Sequence, residues 1–264
     1  MKTLRYTQDD AWRWAAFSGD YNPIHFNKQW VRERGGERLS VHGMRALLDV
    51  KQSISHEINP IPFVKCTVRL RQPLWCDLPY QLIPSKTKNN AASVVSAENE
   101  HTCFTCQLTP VEQLPPASAS SVYTLSTQEH TRLQQAFAPL LPHAQAWHFL
   151  DALLFRHLLH DRALLRQEAI AALLPTDATL EDIFSRYPVV QTHQEIHFSA
   201  PLFAQWSAHA PVHEMTIQTL PALVVGNMTE GVVIRVAAST LYQNNAMTNA
   251  ITLKIGPTAP SLPQ

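Results

Sequence analysis

The chain has 264 residues, with 21 basic and 21 acidic side chains and therefore no formal net charge. That balance excludes a general polyanion binder, which would carry an excess of Lys and Arg, so no nucleic-acid partner is expected. With 45% hydrophobic and 16% charged residues the sequence is that of a folded protein, long enough for one large domain or two ordinary ones.

The first residues, MKTLRYTQDDAWRW, do not read as a signal peptide, because Asp9 and Asp10 interrupt a short apolar stretch. No run of about 18 apolar residues is present, so no membrane span is predicted and the cytoplasm is the expected location. A short helix follows. Thr7 can cap it, Asp9 and Asp10 favour its positive end, and Trp12, Ala15 and Ala16 form the expected apolar stripe. Ser18 to Pro23 ends that helix, since Gly19 frees the backbone and Pro23 restricts Asn22. A basic loop, RERGGER, leads to a second helix over about 41–55, with Met44, Leu47, Leu48 and Ile54 turned inward.

After a turn at NPIP (59–62) the period changes. FVKCTVRLRQPLW alternates as a half-exposed antiparallel strand should, and ASVVSAEN and TCFTCQLT continue the pattern. Cys103 and Cys106 form a C-x-x-C, but within a strand residues three apart point to opposite faces. All four cysteines, Cys66, Cys76, Cys103 and Cys106, are therefore read as reduced core residues rather than metal ligands or a redox pair.

Helix followed by antiparallel strands is α+β order, and that order recurs after a Pro/Ser/Ala-rich stretch. WHFLDALLFRHLL and DRALLRQEAIAALL read as helices; QEIHFSAPLF, MTIQTLPALVVGN, GVVIRVAAST and AITLKIG read as strands, and the PTAPSLPQ tail as loose. QEIHFSAPLF also resembles CTVRLRQPLW, with a proline and an aromatic in matching places. Two copies of one fold are expected: residues 1–112, a linker 113–124, and residues 125–264.

The informative residues lie in the first copy, in Ser18-Gly-Asp-Tyr-Asn-Pro-Ile-His25 and in His42-Gly43-Met44. Asp20 and His25 stand five apart on a segment made irregular by Gly19 and Pro23, so they can converge across a turn. A carboxylate and an imidazole around one water make an acid–base pair. Gly43 stands where the second helix starts, and its N–H, aided by the helix dipole, could polarise a carbonyl oxygen.

Together these residues resemble the signature of the MaoC-like and (R)-specific enoyl-CoA hydratase family, S-G-D-x-N-P-x-H followed by H-G-M, with weaker likeness over about residues 5–110. The resemblance implies an α+β double hot-dog, an antiparallel sheet wrapped around central helices. It implies a hydro-lyase acting on an enoyl thioester of CoA or acyl-carrier protein, with Asp20, His25 and Gly43 catalytic. Asn22, His42 and Met44 then contact substrate, Asn22 also shaping the turn. The second copy lacks the motif and is expected to complete an internal pseudo-dimer and wall the acyl tunnel, with homodimerisation a further option, while 161–186 forms an insertion or cover. Lys51 falls near the place of a helix serine sometimes used in the family, and Arg45 is expected to face solvent. Lys28, Arg32, Arg34 and Arg38 are candidates for phosphate contact.

No cofactor and no metal are expected. His143, His148, His157, His160, His193, His197, His209 and His213 include no H-E-x-x-H and no third ligand at a recognised spacing. The competing readings are a hot-dog thioesterase and a non-catalytic acyl-thioester binding or scaffold subunit.

Overall fold

The computed structural model describes residues 2–55 and 61–256. The first half runs β1 (Lys2–Arg5), α1 (Gln8–Ser18), a 3-10 turn (Pro23–His25), α2 (Lys28–Glu33), α3 (Gly43–Ile54), β2 (Phe63–Leu70), β3 (Pro79–Pro84), β4 (Ala91–Ser96) and β5 (Thr102–Val111). The second runs β6 (Ser121–Leu125), α4 (Thr127–Phe137), α5 (Ala146–His160), α6 (Glu168–Ala171), α7 (Leu180–Arg186), β7 (Val189–Ser199), β8 (Met215–Thr219), β9 (Leu223–Asn227), β10 (Gly231–Tyr242) and β11 (Asn245–Ile255). Asn59 and Pro60 of the expected turn, and the PTAPSLPQ tail, lie outside the described residues.

The strands form one antiparallel sheet in the order β1-β3-β4-β5-β2-β7-β11-β10-β8-β6, with β9 added to β10. Read from each end inward, the two halves place matching elements in matching positions, with β2 and β7 meeting at the centre. Thr67 faces Glu195 in that pairing. These are corresponding residues in the similarity between CTVRLRQPLW and QEIHFSAPLF, so a pseudo-two-fold axis passes between them. Each half curls its strands around one central helix, α3 or α5, and the whole is a double hot-dog of α+β class. Pairing β2 with β7 covers an edge that a single copy would leave open.

The central helices explain the core. α3 buries Met44, Leu47, Leu48 and Ile54, as its periodicity predicts. α5 is apolar almost all round, and Trp147, Phe149, Leu150, Leu154 and Leu158 are fully enclosed. Where the two helices meet, Lys51 and Asp151 form an ion pair with neither side chain exposed. Lys51 Nζ also donates to Gln194 Oε1 at 2.7 Å, while Asp151 Oδ1 accepts from Gln194 Nε2 at 2.8 Å and Asn249 Nδ2 at 2.9 Å. Lys51 thus belongs to the seam between the halves.

Several sequence expectations need correction. The stripe of α1 is Ala11, Trp14, Ala15 and Ser18, spaced i, i+3, i+4, i+7, and Phe17 is buried beside it. Trp12 and Ala16 are exposed, and Trp12 packs instead on Phe26 with ring centroids 4.3 Å apart. Arg45 does not face solvent: its side chain is 12% exposed and pairs with Asp49 at 2.8 Å and Asp10 at 3.5 Å. The stretch DRALLRQEAIAALL is broken rather than one helix, because Gln167 takes an extended conformation. Its side chain is held by Leu220 O at 3.1 Å and the Ala222 N–H at 2.7 Å. MTIQTLPALVVGN divides at Pro221 into β8 and β9. The four cysteines are free; Cys66 and Cys106 Sγ lie 3.5 Å apart, and Cys103 and Cys106 are both buried despite their spacing. A register shift opposite Cys103, between Val94 and Val95, removes the strict alternation there. Among the described residues no helix is long and apolar enough to cross a membrane.

Candidate active site

Helix α1 ends in a left-handed Gly19, φ 75°, whose N–H caps Ala15 O. The chain then doubles back. Asp20 N–H donates to Ser18 Oγ at 3.1 Å, and Asn22 N–H donates to Asp20 Oδ1 at 3.2 Å, closing an Asx turn. Asn22 Oδ1 caps the following 3-10 turn through the Ile24 N–H, while its Nδ2 donates to Phe184 O at 3.0 Å. Pro23 at the start of that turn fits its fixed φ. The turn delivers His25 back toward Asp20, as the spacing predicted.

His25 is oriented by the segment 39–41, which is laced to 74–76 through Val41 N–H to Leu74 O and Cys76 N–H to Leu39 O. That lacing presents Ser40 O at 2.8 Å and Ser40 Oγ at 3.1 Å to His25 Nδ1. A carbonyl only accepts, so Nδ1 carries the hydrogen and Nε2 of the neutral ring carries the lone pair. Burial holds His25 below the usual histidine range, against the opposing pull of Asp20 and the Ser40 carbonyl.

His42 caps α3 and stacks on His25, with centroids 3.6 Å apart and planes 26° apart. Its Nε2 lies 3.0 Å from Asp20 O, to which it must donate, and 3.9 Å from Asp20 Oδ2. Its buried Nδ1 has no partner among the described residues. Burial first, and His25 second, push His42 down to about 3, so the ring is neutral at ordinary pH. Gly43 is the first residue of α3, where a helical N–H has no intrahelical acceptor. A Cβ there would stand 3.1 Å from Leu70 Cδ2, so a bare backbone suits the position.

Asp20, Asn22, His25, His42, Gly43 and Met44 all line one cavity of about 480 Å³. Sequence reasoning missed its far wall: Phe155 from α5, Phe184 at the end of α7, and Tyr187 to Gln191 leading into β7. The expectations that the second copy walls the acyl tunnel and that 161–186 forms a cover pointed that way without naming these residues. Met44 Sδ is 3.7 Å from Gln191 Nε2, one of several contacts tying the halves together here. Of the basic loop, Arg34 and Arg38 reach the lining. Arg34 stacks over Trp30 at 3.8 Å and Arg38 pairs with Glu98 at 3.5 Å. Lys28 and Arg32 are not on the lining, and α2 occupies part of what was expected to be loop.

The carboxylate of Asp20 and the ring nitrogens of His25 and His42 lie within 4.8 Å of one another, a donor set that could in principle hold a cation. His42 Nε2, however, is already engaged with Asp20 O, to which it donates. The set suits proton transfer better than coordination.

No family model and no curated protein matches the chain. Among solved structures it is similar to a MaoC-like dehydratase, at 10% identity and TM-score 0.47, over 97% of this chain and 95% of the other. It is also similar to a double hot-dog protein from Mycobacterium tuberculosis, at 9% identity and TM-score 0.44 over 96% and 93%. A third is the TesB protein of Mycobacterium avium subspecies paratuberculosis, at 7% identity and TM-score 0.42 over 83% and 88%. With TM-scores under 0.5, none of these carries an activity to this chain.

Proposed function

We propose that the chain is a hydro-lyase that interconverts trans-2-enoyl and 3-hydroxyacyl thioesters of CoA or an acyl-carrier protein. The observation that carries this reading is that Asp20, His25 and the Gly43 end of α3 line one cavity, with a carboxylate oxygen of Asp20 and a ring nitrogen of His25 within 4.8 Å of each other. Its lining is otherwise rich in apolar side chains, among them Trp14, Leu70, Phe104 and Phe155, which suits an acyl chain.

In the hydration direction one water lies between Asp20 and His25. His25 Nε2 takes a proton from it as the oxygen attacks the β-carbon, and the Asp20 carboxylate stabilises the imidazolium that forms. Electrons shift toward the thioester carbonyl, whose oxygen accepts from the Gly43 N–H, a bond that strengthens only as charge develops. The dyad then returns a proton to the α-carbon, so the sum is addition of one water across the double bond. Asn22 and His42 hold the Asp20 turn, and Met44 borders the acyl path. No step passes through a metal, and no cofactor is required.

Incubation with crotonyl-CoA and longer enoyl-CoAs, following loss of enoyl absorbance and release of free thiol in parallel, tests the reading. Loss of absorbance without thiol supports it. Thiol release would make the protein a thioesterase, and binding without either change would make it a non-catalytic acyl-thioester binder.

A further inference from the structure

The carbonyls that end α1 are orphan acceptors at the negative end of a helix, and α1 has no basic residue in its last turn to meet them. The second half of the chain supplies the donors instead. Arg156 Nη1 donates to Phe17 O at 3.2 Å, and His160 Nε2 lies 2.8 Å from Ser18 O. Because Ser18 O can only accept, the proton of the His160 ring sits on Nε2. Both side chains come from the last turns of α5, one helical turn apart, on the same face.

Gly19 records the same contact from the other side. A Cβ on Gly19 would stand 2.4 Å from His160 Nε2, 2.8 Å from Cε1 and 3.2 Å from Arg156 Nη1. The glycine therefore serves two ends, a left-handed cap and room for the imidazole. Asp20 follows directly, its N–H bound to Ser18 Oγ and its carbonyl to His42. The next link, Asn22, is tied to Phe184 O, again in the second half.

We propose that His160, seconded by Arg156, is a positioning residue for Asp20, so that the half without the motif sets the geometry of the acid–base pair in the half that has it. This rests on the hydratase reading for its kinetic consequence but not for its structural one. His160 touches neither the water nor the substrate in this scheme; it fixes the Ser18 peptide plane, from which Asp20 departs two bonds later. A small misplacement of a reacting group is enough to cost about a hundredfold in rate.

The test compares His160→Ala with His160→Gln, whose Nε2 can reach Ser18 O in place of the imidazole donor. Two readouts are taken on full-length protein of verified fold. In His160→Ala, amide hydrogen exchange at Gly19 to Asn22 should quicken by at least about tenfold while the core strands keep their protection. On an enoyl thioester, kcat should fall about 10- to 100-fold with KM within about threefold, and His160→Gln should recover most of both effects. Unchanged exchange at Gly19 to Asn22 in His160→Ala would overturn the proposal, as would full kcat in that variant. Exchange that quickens everywhere, with no rescue by Gln, would reduce His160 to a general stabilising contact and overturn it too. A wild-type chain that turns over no enoyl thioester would instead count against the hydratase reading, leaving the exchange comparison to decide this one.

Discussion

Replacing Lys51 by Met should destabilise the fold by about 4 kcal/mol at pH 7, with a pH dependence that identifies the cause. Lys51 is the cation facing Asp151, and neither side chain is exposed to water. Burial already pushes the Asp151 carboxyl above its usual range, and Lys51 opposes that push. Without the ammonium, Asp151 must remain as an uncompensated buried charge or take up a proton. Protonating a carboxyl of ordinary pKa near 3.9 costs about 1.4 kcal/mol for each unit of pH above that value. Because Asp151 in the wild type already lies above its usual range, the variant's extra deficit opens only above that raised value. At pH 7 it is about 3–5 kcal/mol, the loss expected when one member of a buried pair is removed. The native variant then holds a proton that the unfolded chain has lost, so its deficit grows as pH rises. Adding Asp151→Asn should recover about 2 kcal/mol or more at pH 7, since an amide can donate to the Gln194 Oε1 that Lys51 leaves and still accept from Asn249. Urea unfolding followed by tryptophan fluorescence at several pH values measures all of this. A Lys51→Met cost below about 1 kcal/mol, or one that does not change with pH, would refute the reasoning.

Acid should weaken the wild type through its buried neutral histidines. His42 and His148 are pushed down to about 3, mainly by burial. The unfolded chain gains protons on them below about 6.5 while the native state does not. Stability is thus full above that value and should fall by about 5 kcal/mol between about pH 7 and pH 4.5; a constant urea midpoint over that window would contradict this. A fragment ending near Pro116 would expose the β2 edge that β7 now covers, and should be dimeric or aggregated and poorly active by size-exclusion chromatography and turnover. A stable, monomeric, fully active fragment would contradict that. EDTA should leave activity unchanged, whereas loss with rescue by zinc would turn the Asp20, His25 and His42 donor set into a metal centre.

What was legible in the sequence was local. Gly19, Asn22 and Pro23 specify a turn through backbone conformation and capping that act within a few residues, so the approach of Asp20 to His25 could be read directly. The alternation of β2 and the helical period of α3 were legible for the same reason. The recurrence of PLW and PLF marked the symmetric strands that meet at the centre of the sheet. Features that depend on distant partners were not legible. Trp12 looked like core because it is large and apolar, yet the helical phase turns it outward, where Phe26 covers it. Lys51 and Arg45 look like surface side chains until Asp151 and Asp49 are placed beside them. α2 was hidden beside a basic loop because its six residues are too few to show a helical period, although Asn27 Oδ1 caps it by accepting from the Trp30 N–H at 2.9 Å. The far wall of the cavity comes from residues more than a hundred positions away in the chain, as does His160.

The most direct test of the dyad is the rate of enoyl-thioester hydration by Asp20→Asn and His25→Ala beside the wild type, each with its fold verified by circular dichroism. The expected result is measurable hydration by the wild type and a fall of at least about a hundredfold in each variant. Near-normal hydration by either variant would contradict the assignment of Asp20 and His25 as the acid–base pair.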